Sequence, residues 1–161
     1  MTDLNKLLNP LFLEEKEIRK LIEILFFSYR DFIAGPDRIL EKIHFGRAHH
    51  RIIYFVGKNK EITIKDLLKI LQITKQSLSR VLNQLVKQKY INMTVGIDKR
   101  TKNLTLTQKG IELEKKLSNI QITKIRNIIQ DAEENDVNGF KKILFAMIET
   151  EGKKIFNKYN E

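Results

Sequence analysis

The sequence predicts a mainly α-helical fold with one small β-hairpin, which places the chain in the α+β class. Apolar residues recur with a period near 3.6 over most of the chain, as in amphipathic helices. The period changes to 2 only between residues 91 and 107, as in two half-buried strands. With 161 residues, the chain is the size of one ordinary domain.

Composition limits the classes of function. The chain contains no cysteine, which excludes disulfides and thiolate metal sites. No stretch reaches the roughly 20 apolar residues of a membrane-spanning helix, so we expect a cytoplasmic protein with no membrane partner. Gly-rich phosphate loops and paired catalytic carboxylates are absent, and Ser77 and Ser79 have no His and acid nearby in the sequence. We therefore expect neither an enzyme nor a cofactor.

The net charge of +10 is concentrated in the middle of the chain. Residues 61–110 hold 10 basic and 3 acidic side chains, residues 1–60 hold 11 and 8, and residues 111–161 hold 9 of each. A merely soluble Lys-rich protein would spread this excess evenly. The clustering therefore favours a polyanionic partner.

Two helical regions are predicted before this basic part. Residues 12–34 keep the 3.6 period, and Gly35-Pro36 is expected to end that helix. A short helix is predicted for residues 37–43. The next helix is predicted for residues 47–56, with Gly57 as its end.

Residues 63–89 predict a helix-turn-helix. Thr63 and Asp66 have the spacing of a capping box at the start of a short helix, and residues 72–74 form the turn. The second helix begins after Thr74, which can cap it, and contains no Asp or Glu. One face of this helix is an apolar stripe and the other is uncharged or basic, which suits an anionic surface: the stripe comprises Leu78, Val81, Leu82, Leu85 and Val86.

A basic hairpin follows directly. Strands alternate from Ile91 to Val95 and from residues 103 to 107, and the loop between them reads GIDKRTK. A basic hairpin after a helix-turn-helix is a wing, so the predicted architecture is a winged helix-turn-helix.

The terminal regions predict a dimerisation unit. Thr107 can cap a helix over residues 108–132 with two apolar rows, which indicates burial on two sides. A turn is predicted for residues 133–139 and a last amphipathic helix from Phe140 to Ile155. We expect residues 1–45 and 108–161 to form the dimerisation helices, and residues 46–107 to form the DNA-binding lobe.

With this helix-turn-helix and wing, the chain resembles the MarR family of transcriptional regulators over nearly its whole length. The run from Asp98 to Arg100 and then from Leu106 to Gly110 is similar to the family's D-x-R wing tip followed by L-T-x-x-G. ITKQSLSRVL, residues 73–82, is similar to the family's recognition-helix pattern. Lys89 stands where the family commonly has Gly, so we expect a non-Gly residue with positive φ there.

The resemblance implies a dimeric winged helix that binds double-stranded DNA. It implies that Arg100 enters the minor groove, that Asp98 orients it, and that the second helix faces the major groove. The predicted DNA-binding residues of that helix are Lys75, Gln76, Ser77, Ser79, Arg80, Asn83 and Lys87, and those of the wing are Asp98, Lys99, Arg100 and Lys102.

The histidines are weaker candidates. His44, His49 and His50 lack the i, i+4 spacing of two metal ligands on one helical face, so no metal site is predicted. They are expected at the hinge between the dimer helices and the DNA-binding lobe, or in hydrogen bonds across the dimer. In proteins of the resembled family this region borders an effector pocket, which makes Tyr29, Arg47 and His50 candidates for binding a small anionic or aromatic effector.

The predicted function is a homodimeric, sequence-specific DNA-binding regulator, a repressor by expectation, acting on a pseudopalindromic operator. The alternative is a winged-helix module that binds RNA or a protein partner. The sequence does not identify the operator, the target genes or an effector.

Overall fold

The computed structural model describes residues 14–96 and 100–160. These residues form α1 (Glu15–Glu41), α2 (Arg47–Lys58), β1 (Ile62–Thr63), α3 (Ile64–Leu71), α4 (Lys75–Lys87), β2 (Ile91–Val95), β3 (Lys102–Leu106), α5 (Gln108–Ile129), α6 (Glu134–Ala146) and α7 (Thr150–Lys158). The predicted mainly helical class with a small β-hairpin is confirmed. Within the described ranges, no helix combines the length and the apolarity that crossing a bilayer requires.

One hydrophobic core joins α2, α3, α4, the sheet and the first half of α5. The predicted stripe of α4 supplies part of it, since Leu78, Val81, Leu82 and Leu85 are all buried. Burying a Leu or Ile side chain stabilises a fold by about 1.5–3 kcal/mol. The other core residues include Leu40, Ile52, Ile53, Ile62, Leu67, Ile91, Leu104, Leu113 and Leu117.

The sheet is antiparallel with the strand order β1-β3-β2. The predicted hairpin is confirmed, with Met93 of β2 opposite Leu104 of β3. Leu104 also lies opposite Ile62 of β1, a two-residue strand that the sequence did not predict. So short a strand has no detectable period of 2, and it forms because β3 offers a free edge.

The predicted end of the first helix at Gly35-Pro36 is wrong. The helix α1 continues through a buried Pro36 to Glu41, and the separate helix predicted for residues 37–43 is its last part. A Cβ atom on Gly35 would lie 2.6 Å from Cγ2 of Ile120. Gly35 therefore allows α1 and α5 to cross closely, and this packing holds the helix together across the proline.

The C-terminal prediction is partly wrong. The helix α5 begins at Gln108 as predicted, but α6 already begins at Glu134, inside the predicted turn. Glu134 and Asp136 lie in the first turn of α6, where the helix dipole favours acidic side chains. The predicted last helix is interrupted after Ala146, and α7 starts at Thr150.

The end of α7 returns to α3. Lys158 Nζ lies 3.7 Å from Asp66 Oδ1. Lys58 at the end of α2 donates a hydrogen bond to Oδ1 of Asn160. The C-terminus thus contacts the start of the helix-turn-helix.

Large apolar faces on the terminal helices are solvent-exposed in the single chain. Ile22 and Phe26 of α1 are each 62% exposed, and Ile143 of α6 is 65% exposed. Exposed apolar patches of this kind mark interaction surfaces in soluble proteins.

Candidate nucleic-acid interface

The helix α4 presents one polar and basic face to solvent. All seven side chains predicted to contact DNA on this helix are exposed, and four of them lie opposite the buried stripe: Gln76, Arg80, Asn83 and Lys87. Because the helix contains no acidic residue, nothing on it repels a phosphate. The predicted separation of faces is therefore present in the structure.

The short turn before α4 is built from three residues. Gln72 adopts the left-handed conformation, with φ 49° and ψ 43°, and its N–H donates to the carbonyl of Leu68 at 3.0 Å. The capping box predicted at the start of α3 is confirmed, because Thr63 Oγ1 accepts from the N–H of Asp66 at 3.1 Å and the Asp66 carboxylate accepts from the N–H of Thr63 at 3.2 Å. These local bonds fix the two ends of α3, and the left-handed Gln72 ends the helix before the chain enters α4.

The N-terminus of α4 is capped as predicted. Thr74 Oγ1 accepts from the N–H of Ser77 at 3.1 Å and donates to Ser77 Oγ at 3.0 Å. The Ser77 hydroxyl accepts this bond and keeps its own proton for another partner. The exposed N-terminus also carries partial positive charge from the helix dipole, which favours an anion.

The C-terminus of α4 is held by the residues that begin α5. Lys89 has φ 60°, the positive value predicted for this position. Thr107 Oγ1 donates to the carbonyl of Lys89 at 2.6 Å, and Lys109 Nζ donates to the carbonyl of Gln88 at 3.1 Å. The same Nζ lies 4.1 Å from the centroid of the Tyr90 ring. The carbonyls of Gln84, Leu85 and Val86 accept from backbone N–H groups, so the two side chains satisfy the carbonyls that directly follow α4.

The close approach of the Tyr90 backbone explains why the run from Leu106 to Gly110 ends in a glycine. A Cβ atom there would lie 2.1 Å from the carbonyl oxygen of Tyr90. Thr107 caps α5 through Gly110 N–H at 3.1 Å, and its own N–H donates to the Tyr90 carbonyl at 3.0 Å. The motif therefore joins the end of α4, the start of β2 and the start of α5 at one point.

The wing is described except at its tip. Arg100 and Lys102 are exposed, and the N–H of Gly96 donates to the carbonyl of Thr101 at 3.0 Å across the base of the loop. Asp98 and Lys99, which were also predicted to contact DNA, lie outside the described residues.

Tyr29, Arg47 and His50, the three predicted effector residues, line one cleft of about 650 Å³ between α1, α2 and α5. Its other walls are largely apolar, among them Phe32, Ile122 and Ile125. Mostly apolar walls with a few polar groups are typical of small-molecule sites.

Some polar side chains of the cleft form hydrogen bonds with one another. Arg47 Nε donates to Asp37 Oδ2 at 2.9 Å, and Arg51 Nη2 donates to the Tyr29 hydroxyl at 3.1 Å. Burial lowers the pKa of His50 below its usual value of 6.5, although the negative charge of Asp37 opposes this shift. His50 is therefore mainly uncharged at neutral pH.

The three histidines are separated in the structure. His44 is exposed and has φ 57°, His50 lines the cleft, and His49 is buried against Phe45. Among residues 14–96 and 100–160, no cluster of three or more His, Cys, Asp or Glu side chains could hold a metal ion.

Sequence reasoning did not find the contact of His49 with α4. Its ring stacks on Phe45 with centroids 4.3 Å apart, and its Nε2 lies 2.8 Å from Oε1 of Gln84. The only sequence signal was a histidine at a core position of α2.

This chain is similar to known proteins both in sequence and in fold. Residues 45–94 match the model of the MarR family. The HTH-type transcriptional regulator PetP of Rhodobacter capsulatus is 44% identical over 140 residues, which cover 86% of this chain and 84% of PetP.

Among solved structures, that of FabT from Streptococcus pneumoniae in complex with DNA has a TM-score of 0.72 at 21% identity, covering 81% of this chain and 94% of FabT. The transcription regulator MarR from Oenococcus oeni has a TM-score of 0.64 at 24% identity, covering 81% of this chain and 99% of that chain. At these identities the likeness shows a shared fold.

Proposed function

The chain belongs to the MarR family of transcriptional regulators, and from this premise we propose that it is a homodimeric repressor that binds duplex DNA at a pseudopalindromic operator. The observation that carries the proposal is the exposed, acid-free face of α4 beside a basic hairpin. The FabT structure, which contains DNA, supports the same use of this fold.

Each subunit would place α4 in a major groove. Gln76 and Arg80 lie one helical turn apart on the exposed face, where their donors can reach base edges. Lys87 and Lys102 would contact phosphates, which position the protein without reading sequence. Lys75, Ser77, Ser79 and Asn83 complete the proposed surface of α4.

In the wing, Arg100 would enter the minor groove beside the site that α4 occupies. A narrow minor groove has an enhanced negative potential, which favours an inserted guanidinium group. Asp98 and Lys99 belong to the proposed wing surface by their place in the sequence.

We assign dimerisation to residues 1–45 and 108–161, and DNA binding to residues 46–107. The exposed apolar faces of α1, α5 and α6 support this division, because a second copy would remove them from water. Two-fold symmetry would then place the two α4 helices in successive major grooves, about 34 Å apart.

The cleft around Tyr29, Arg47 and His50 is proposed as an effector site. It lies between α1 and α5 on one side and α2 on the other, so a ligand there would contact both proposed units. An amphipathic anion fits a cleft that both arginine and aliphatic side chains line.

The proposed role implies a cellular location, and it implies a regulator and not an enzyme. A DNA-binding regulator acts where the chromosome lies, which in a bacterial cell is the cytoplasm. The family is a class of transcriptional regulators, not of enzymes.

Selection of bound duplexes from a random library tests the proposal. We expect the recovered sequences to contain two inverted half-sites separated by about one turn of the double helix, roughly 34 Å. Binding with steep salt dependence and no preference among duplexes would contradict it and would favour an RNA or protein partner.

A further inference from the structure

Gln84 lies at the edge of the proposed DNA-facing surface of α4. It follows Arg80 by one helical turn and precedes Lys87 by three residues, so the three side chains are neighbours on the helix. Its side chain is exposed, and its Oε1 lies 2.8 Å from His49 Nε2. A residue at the edge of a groove-reading helix lies nearest to the phosphates that flank the groove.

The hydrogen bonds of His49 determine its tautomer. Its Nδ1 lies 3.1 Å from the backbone nitrogen of Gly46, which can only donate. Nδ1 therefore accepts, and a neutral ring carries its proton on Nε2. The Nε2–H group then donates to the Gln84 oxygen.

The same bond determines the orientation of the Gln84 amide. Since Oε1 accepts from the imidazole, the amide NH₂ group is the part left for another partner, and it offers two donors. His49 is itself fixed, because it is only 9% exposed and its ring lies parallel to that of Phe45, with an interplanar angle of 5°. The donor group of Gln84 is thus held before any ligand arrives.

We propose that Gln84 donates a hydrogen bond to a DNA phosphate and that His49 is its positioning residue. The inference rests on the proposed function and adds a contact that sequence reasoning missed. His49 would act only through Gln84, since it is buried behind α4 and does not reach the exposed face.

The first test uses Gln84→Leu and operator duplexes in which one phosphate at a time is replaced by an uncharged methylphosphonate. We expect Gln84→Leu to weaken binding about tenfold. At one phosphate in each half-site, the replacement should lower the DNA affinity of the wild type but leave the affinity of Gln84→Leu unchanged. The contact is overturned if Gln84→Leu binds DNA as tightly as the wild type. It is also overturned if every phosphate replacement lowers the affinity of both proteins to the same extent.

The second test concerns His49. His49→Phe keeps a ring against Phe45 but has no proton to donate to Gln84. Replacement of the same phosphate should therefore leave its DNA affinity unchanged. His49→Gln, whose amide can donate to Gln84, should recover most of the affinity. The double variant His49→Phe, Gln84→Leu should bind as Gln84→Leu does, within about twofold. Additive losses, or no rescue by His49→Gln, overturn the positioning role.

Thermal unfolding of each variant separates these outcomes from a folding defect. If His49→Phe is unfolded, His49→Gln and Gln84→Leu still decide the inference through the phosphate scan. If the wild type binds no duplex from the random library, the proposed function itself fails and the inference fails with it. If the wild type binds while Gln84→Leu is indistinguishable from it, the inference fails alone.

Discussion

A Cβ atom on Gly110 would lie 2.1 Å from the carbonyl oxygen of Tyr90. That oxygen already accepts a hydrogen bond from the N–H of Thr107 at 3.0 Å, and the Thr107 hydroxyl, which donates to the Lys89 carbonyl, lies 3.3 Å from it. The close approach therefore involves backbone on both sides, and no side-chain rotation can relieve it. Hydrogen alone fits at this position.

Gly110→Ala is expected to destabilise the fold by about 3 kcal/mol, the upper part of the usual range for an overpacked core. The measurement is urea unfolding followed by circular dichroism. Gly139→Ala in α6 is the control, because a Cβ there meets nothing within 4 Å. It should stabilise the helix by about 0.5–1 kcal/mol. Equal effects of the two substitutions would contradict the steric explanation.

Arg80→Ala is expected to relax sequence preference and to weaken operator binding by about 1–3 kcal/mol, because it removes the proposed contact to a base edge. Fluorescence anisotropy with the operator and its single-base variants measures both effects. Arg38→Ala removes the same charge from an exposed position on α1 and should change affinity less than about twofold. Equal weakening for every duplex would show that Arg80 contacts a phosphate and not a base.

Arg100→Ala is expected to weaken binding by roughly tenfold, or about 1.4 kcal/mol, without changing which operator is chosen. The side chain would lie in the minor groove, which distinguishes few base pairs. A gel-shift titration with the selected operator measures the effect. Unchanged affinity would contradict the proposed role of the wing.

Lys102→Ala tests the phosphate contacts of the same hairpin. We expect weaker binding to all DNA sequences. We also expect the plot of log affinity against log salt concentration to become less steep, by about 1. A changed sequence preference would contradict this assignment.

Acid unfolding should depend on Asp66. Burial acts to raise the pKa of its carboxyl group, but hydrogen bonds from Thr63 and Tyr159 and the charge of Lys158 outweigh it, so the pKa lies below the usual 3.8. The stabilising contribution is complete above the unfolded-state pKa and is lost as the pH falls through the lower folded-state value. Asp66→Asn should therefore lower the free energy of unfolding at neutral pH. In this variant the free energy of unfolding should also fall less steeply as the pH is lowered.

Urea unfolding from neutral to strongly acidic pH measures this dependence. Asp131→Asn is the control, since the Asp131 side chain is exposed and none of the side-chain hydrogen bonds or ion pairs among the described residues involves it. A decline with pH that is as steep in Asp66→Asn as in the wild type would contradict the assignment.

The helix-turn-helix could be predicted because its determinants are local. Thr63 and Thr74 lie within four residues of the groups they cap. The buried stripe of α4 repeats every three or four residues, so its period is visible in a short window. Lys89 was predicted to adopt positive φ from the resemblance, and its φ is 60°.

The path of α1 could not be predicted because it depends on a distant residue. Gly35 and Pro36 are typical of a helix end, but Ile120, 85 positions away along the chain, packs against Gly35 and makes the helix continuous. The bond between His49 and Gln84 also joins residues that no sequence period relates.

The bonds from Thr107 and Lys109 join the start of α5 to Lys89 and Gln88, the two residues that follow α4. With 22 residues, α5 is about 33 Å long, and its first turn is fixed to the helix that faces solvent. A tilt of about 5° around that point would move the far end by roughly 3 Å over this length. In the proposed dimer, a tilt of α5 where the two subunits meet would therefore rotate α4, so that the spacing and the orientation of the two α4 helices would change together.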